Sequence, residues 1–111
     1  LGKNYIFSQR QDGQMTIRGG FDLSLVKKAV VIEDIVTTGG SVREVINCLS
    51  LRGIKVQAVA SLVDRSGGTP DFGCPFLSLL KLDFPVWNPE ECPLCADGAP
   101  LIRPGASDKI L

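Results

Sequence analysis

The chain has 111 residues, 44% of them hydrophobic, which is enough for one small domain with a modest core. Lys plus Arg equals Asp plus Glu at 12 each, so no global basic field draws in nucleic acid. No apolar run approaches the roughly 20 residues of a membrane span, and no signal-peptide pattern precedes Lys3-Asn4. The sequence contains no His, which excludes a His-based nucleophilic triad and a His-rich metal site within it. These features predict a soluble cytoplasmic domain.

Tyr5 to Phe7 read as the end of a strand. Gln9 to Gln14 make a polar turn around Asp12-Gly13, from which Met15-Thr16-Ile17 returns as a short strand. Ala29 to Ile32 form the first core strand, too apolar for a strand with a solvated face. Glu33 and Asp34 stand where that strand emerges, as two acceptors for vicinal ribose hydroxyls or for a sugar-bound metal. Thr37 to Ser41 follow, a hydroxyl- and glycine-rich loop able to turn successive backbone N–H groups toward one anion. A tight turn with no ligand is the plainer reading, but the combination with a capped helix favours phosphate and ribose.

The helix is well marked. Ser41 is a candidate N-cap, and Glu44 completes a Ser-x-x-Glu capping box. Val42, Val45, Ile46 and Leu49 recur on one face, and Gly53 suits a left-handed C-terminal residue. Lys55 to Val63 is the next core strand, so strand, helix, strand implies a right-handed crossover in a parallel sheet. Asp64 and Arg65 then emerge at the same carboxyl edge as Glu33 and Asp34. A guanidinium there suits a carboxylate or a carbonyl-bearing ring edge, the alternative being a brace to Asp64 or Asp71. Ser66 to Pro70 form a breaker loop, Phe76 to Leu82 a further strand bounded by Pro75 and Pro85. The tail from Asn88 is ordered by packing rather than by its own periodicity.

Of the four cysteines, Cys48 is read as a packing residue on the helix border, and Cys74 precedes Pro75. Cys92-Pro93-Leu94-Cys95 has zinc-knuckle spacing, yet a single Cys-x-x-Cys with no evident fourth ligand favours packing or a tight turn. Metal binding and redox chemistry are the alternatives, and no metal ligand is assigned.

Val31 to Ser41 resembles the phosphoribosyl-pyrophosphate signature of the type I phosphoribosyltransferases. Three flanking stretches make the chain similar to the orotate branch of that family. They are Phe7-Ser8-Gln9-Arg10 through Met15-Thr16-Ile17-Arg18-Gly19-Gly20-Phe21, then Val63-Asp64-Arg65-Ser66-Gly67-Gly68, then Asn88-Pro89-Glu90-Glu91-Cys92-Pro93-Leu94-Cys95. The likeness covers nearly all residues but only the carboxyl-terminal part of the family's chain. Leu1 in place of Met agrees with a processed, excised or truncated chain. The implied fold is α/β, the parallel-sheet, Rossmann-like type I phosphoribosyltransferase fold with its amino-terminal part absent. It divides as one partial domain over 1–111: a mobile-loop hairpin region 1–21, a phosphoribosyl-pyrophosphate-binding core 22–85 and a Cys/Pro-rich tail 86–111.

The resemblance implies transfer of a ribosyl phosphate from phosphoribosyl pyrophosphate to orotate, giving orotidine 5′-monophosphate in pyrimidine biosynthesis. Mg²⁺ is expected with the pyrophosphate, and a homodimer as the assembly. Asp34, Glu33 and Arg10 are the implied catalytic residues. Glu33, Asp34, Ile35, Val36, Thr37, Thr38, Gly39, Gly40 and Ser41 are implied to hold ribose 5-phosphate, and Thr37 with Arg65 to contact orotate. The lead-in loop departs from the family in carrying few basic residues, Arg10 and further on Arg18. Its bland reading is an exposed hairpin with one Arg. The rival functions are a purine-type transferase or a non-catalytic regulator that senses phosphoribosyl pyrophosphate. A competence-type protein fits less well, because its cysteines precede the signature whereas these follow it.

Overall fold

The computed structural model describes residues 2–68 and 70–100. An antiparallel hairpin opens the chain, β1 (Ser8–Gln11) with β2 (Gln14–Ile17). Its strand is displaced from the expected Tyr5–Phe7, and the polar turn contracts to Asp12 and Gly13. Both residues have positive φ, 51° and 80°, the geometry that lets a two-residue turn follow the twist of its strands.

The core is a parallel sheet in the order β3-β4-β5, formed by β3 (Lys28–Val36), β4 (Lys55–Asp64) and β5 (Phe76–Lys81). Helix α1 (Gly40–Ser50) connects β3 to β4. The expected α/β order is therefore present. β3 is longer than Ala29–Ile32, and Glu33 and Asp34 lie within it rather than beyond its end. Pairing accounts for the extension: Glu33 stands opposite Ser61 and Val36 opposite Asp64 on β4.

One face of the sheet carries the core. Val31 and Val59, paired across the strands, are buried with Val42, Val45 and Leu49 of α1 and with Val36, Ile54 and Phe72. Each such side chain contributes about 1.5–3 kcal/mol of burial, which an isolated helix of this length needs because it is marginal in water. Met15 and Ile17 of β2 pack against the edge of this cluster, seating the hairpin on the core. The opposite face is open: Val30, Ile32, Leu62, Leu77 and Leu79 are all exposed. The sequence predicts a first core strand covered on both sides, and among the described residues only one side is covered.

Gly53 ends the helix as its position predicts. With φ 72° it donates to the Ser50 carbonyl, and Ile54 N–H reaches back to the Leu49 carbonyl at 3.0 Å. Leu49 and Ile54 are then buried in the same cluster, the apolar contact that accompanies this stop. After β5 the chain runs irregularly to a single helical turn, α2 (Pro93–Ala96). Residues 101–111 of the Cys/Pro-rich tail lie outside the described residues.

Candidate functional site

The turn from β3 into α1 differs from the capping pattern expected of it. The helix starts at Gly40, its N-cap is Gly39 in the left-handed region (φ 78°, ψ 7°), and no side chain caps it. Ser41 is instead an early helical residue. Glu44 does not close a capping box but pairs with Arg10 of β1 at 2.8 Å. The first intrahelical donation is from Arg43 N–H to the Gly39 carbonyl. The N–H groups ahead of it have no helical acceptor, and the first turn carries no acidic residue. An anion there meets backbone donors and the positive dipole end, although the Gly40 N–H also reaches the Thr38 hydroxyl at 3.4 Å.

Two contacts force glycine at 39. A Cβ there would lie 2.8 Å from the Phe72 ring and 3.1 Å from the Arg43 guanidinium. Arg43 in turn donates to the Thr38 carbonyl at 2.9 Å and to the Asp71 carbonyl at 3.4 Å, and its charge lies 5.3 Å from the Phe72 ring centre. Phe72 and Arg43 thus brace the loop from behind. The sequence reading missed both. Phe72 sits in an irregular segment with no periodicity to betray it, and Arg43 falls on the polar side of its helix, where a charge is unremarked.

Glu33, Ile35, Val36, Thr37, Thr38, Gly39, Gly40, Ser41 and Val42 line one cavity of about 110 Å³. Eight of the nine residues expected around ribose 5-phosphate are therefore gathered at one place. Asp34 is not among the lining residues. It is exposed, and its Oδ1 accepts from the Ile35 N–H at 2.7 Å. Burial, and then the neighbouring Asp34 side chain, push the Glu33 carboxyl above the usual carboxylate range. The two acids act on each other even though one lines the cavity and the other flanks it. A second hollow of about 240 Å³ adjoins the first, lined by Thr37, Thr38, Arg43, Ser66, Gly68 and Pro70. Thr37 and Thr38 belong to both.

Arg65 lies beside this hollow without lining it. Its backbone N–H donates to the Val36 carbonyl at 2.7 Å, locking the two strand ends together, and its guanidinium stacks 4.9 Å from the Phe84 ring centre. Among the described contacts it makes no ion pair with Asp64 or Asp71. Asp64 is buried and accepts from the Ser66 N–H at 2.9 Å. Ser66 side chain and backbone hold its carboxyl below the usual range, helped by Lys81 and opposed by burial. Arg10 is turned to Glu44 and to the Gly13 carbonyl, so the structure does not bring it to the cavity.

Paired carboxylates, a donor-rich loop and an uncapped helix stand together at the carboxyl edge of a parallel sheet, the edge where α/β proteins bind their ligands. Comparison with known proteins makes the relationship particular: over most of its length the chain is similar to proteins named orotate phosphoribosyltransferase. It is 54% identical over 101 residues to that enzyme of Thermotoga petrophila, covering 91% of this chain and 54% of the relative. It is 53% identical to the one from Carboxydothermus hydrogenoformans, covering 90% and 52%. For Heliobacterium modesticaldum the identity is 52%, covering 96% and 56%. The chain spans about half the length of the curated relatives it matches. No family model matches it.

Proposed function

We propose that this chain is the ribose- and phosphate-holding portion of an orotate phosphoribosyltransferase. That enzyme transfers the phosphoribosyl group of phosphoribosyl pyrophosphate to orotate and releases orotidine 5′-monophosphate and pyrophosphate. The observation that carries the reading is the uncapped turn Thr37 to Ser41 sharing one cavity with Glu33. About half-identity to proteins of that name supports the choice of reaction.

The 5′-phosphate sits on the N–H groups at the start of α1, and Gly39 lets the main chain approach it closely. Glu33 and Asp34 receive the ribose hydroxyls. As the bond to pyrophosphate breaks, the ribose gains positive charge, and fixed carboxylates beside it stabilise that charge more than they stabilise the ground state. No protein nucleophile is required, in keeping with a site made of acids, amides and hydroxyls. Thr37, at the junction of the two hollows, and Arg65, at the end of the adjacent strand, face the base.

Among the described residues no group of three or more His, Cys, Asp or Glu forms a self-contained cation cage. Two adjacent carboxylates nevertheless fit Mg²⁺, which keeps waters and is commonly held by one or two carboxylates together with substrate oxygens. Glu33 and Asp34 would hold it through the ribose end of the substrate, and the ion would neutralise charge on the departing pyrophosphate. By the same resemblance the proposal extends to a cytoplasmic homodimer. Arg10, released from Glu44, belongs to the loop that closes over the pyrophosphate.

The test is turnover by the complete parent chain, supplied with phosphoribosyl pyrophosphate, Mg²⁺ and, separately, orotate, uracil, adenine and hypoxanthine. Orotate alone should yield nucleotide and pyrophosphate. Nucleotide formed from a purine in preference to orotate would overturn the proposal.

A further inference from the structure

Cys92 and Cys95 have no part in the reaction described above. Cys92 immediately precedes α2 in an extended conformation, and Cys95 is the third residue of that single turn. The Ala96 N–H closes back onto the Cys92 carbonyl at 3.0 Å, so the loop between the thiols is fixed by its own backbone. Residues three apart on one helical turn have Cα atoms on the order of 5 Å apart, inside the span a disulfide bridges. Both thiols are free and half-buried. Pro93 stiffens the link between them.

We propose that Cys92 and Cys95 form a dithiol–disulfide site, with Cys92 the attacking thiol and Cys95 the resolving one. The Cys92 thiolate attacks one sulfur of a low-molecular-weight disulfide and expels the other half as a thiolate. The Cys95 sulfur, giving up its proton to solvent, then attacks the Cys92 sulfur of the mixed disulfide and releases the second half. Two protein thiols are oxidised by two electrons, and one external disulfide is reduced to two thiols. The direction of attack follows from the surroundings. The Cys95 backbone N–H, then the Cys95 side chain and the Leu94 N–H, hold the Cys92 thiol below its ordinary range. The hydrogen bond to Cys92 pushes Cys95 the other way. Metal binding is the lesser alternative, since among the described residues no third ligand joins the pair.

Cys48 and Cys74 serve as internal controls. Cys48 donates its thiol proton to the Met15 carbonyl at 2.8 Å, and Cys74 packs against the core. The 111-residue chain is equilibrated in glutathione buffers of graded oxidation, quenched by alkylation and digested, and the peptide following Lys81 is weighed. The expected product is that peptide lighter by two hydrogens, reversible on reduction. Cys95→Ser should accumulate one glutathionyl group on Cys92, and Cys92→Ser should accumulate several-fold less on Cys95. Circular dichroism of both variants should match the parent, since neither thiol is in the core. Equal glutathionylation of all four cysteines, or no intrachain disulfide in the most oxidising buffer, would overturn the proposal. So would zinc uptake by pairs of chains that protects both thiols from alkylation.

Discussion

Gly39 is the residue on which the geometry of the site turns. Its φ of 78° costs any other L-residue about 1–2 kcal/mol, and the Phe72 ring edge at 2.8 Å adds a clash that only repacking relieves. Gly39→Ala should therefore lower stability by about 2–4 kcal/mol, read as a fall in the urea midpoint. Gly40→Ala is the control. A Cβ there meets only the Thr38 hydroxyl, at 3.5 Å, and alanine suits a helix better than glycine, so its midpoint should hold or rise. Arg65 presents a different question at the same scale. It stacks on Phe84 and, among the described residues, makes no ion pair with Asp64 or Asp71, which leaves the proposed contact with the base open to test. In the complete enzyme Arg65→Ala should reduce orotate efficiency on the order of ten- to a hundredfold, the worth of a charged hydrogen bond, with phosphoribosyl-pyrophosphate affinity nearly unchanged. Arg65→Lys should recover little, lacking the planar fork. Parallel loss of both substrates, with a lower melting temperature, would reduce Arg65 to a brace.

At the scale of elements, much was legible because local rules agreed with one another. The apolar face of α1, its stop at Gly53 and the three core strands follow from periodicity and breakers. The helix start did not, because the capping box names Ser41 and Glu44 from sequence spacing alone. The left-handed turn at Gly39 instead begins the helix two residues earlier, and Glu44 finds Arg10, 34 residues away in sequence. An uncapped helix end is a poor local choice that suits the proposed anion site, and local rules are expected to fail where function intervenes. The Arg10–Glu44 pair is exposed on both sides, where solvent screens it, so it holds the hairpin only lightly. The end of β4 is held more firmly, by Asp64. Its carboxyl is depressed in the folded state by Ser66, so the stability it gives is present above the unfolded value of 3.8 and lost as pH falls through the folded one. Asp64→Asn should cost about 1–2 kcal/mol at neutral pH. The gap from the parent chain should narrow steadily as unfolding is measured from pH 5 downward. A gap independent of pH would mean that the charge contributes nothing.

At the scale of the whole molecule the site is gathered but shallow, on a sheet with one face bare among the described residues. Ile32 and Leu79 are 70% and 83% exposed there, although the strand carrying Ile32 reads as covered on both sides. Sequence pattern reports the environment for which a strand is suited, and only the chain in hand determines whether that environment is supplied. The same holds for the cavity. At about 110 Å³ it is well below the roughly 300–1,000 Å³ of sites that enclose a small-molecule ligand. It can seat a phosphorylated ribose at its phosphate end, while pyrophosphate and base extend into solvent or toward the adjoining hollow. Binding and turnover should therefore separate. In the isolated 111-residue chain, ribose 5-phosphate should shift the backbone amide resonances of Thr37 to Ser41 weakly and saturably. Gly39→Ala should abolish those shifts, whereas Arg10→Ala should leave them intact, because Arg10 is turned away to Glu44. Supplied with orotate, phosphoribosyl pyrophosphate and Mg²⁺, the same chain should form no nucleotide. Nothing in the described residues shields the reacting carbon from water or holds the leaving pyrophosphate, and orientation with charge stabilisation is the greater part of such a reaction's acceleration. Amides that ignore ribose 5-phosphate would remove the loop from the binding site. Steady formation of orotidine 5′-monophosphate would show that this half of the length suffices for catalysis.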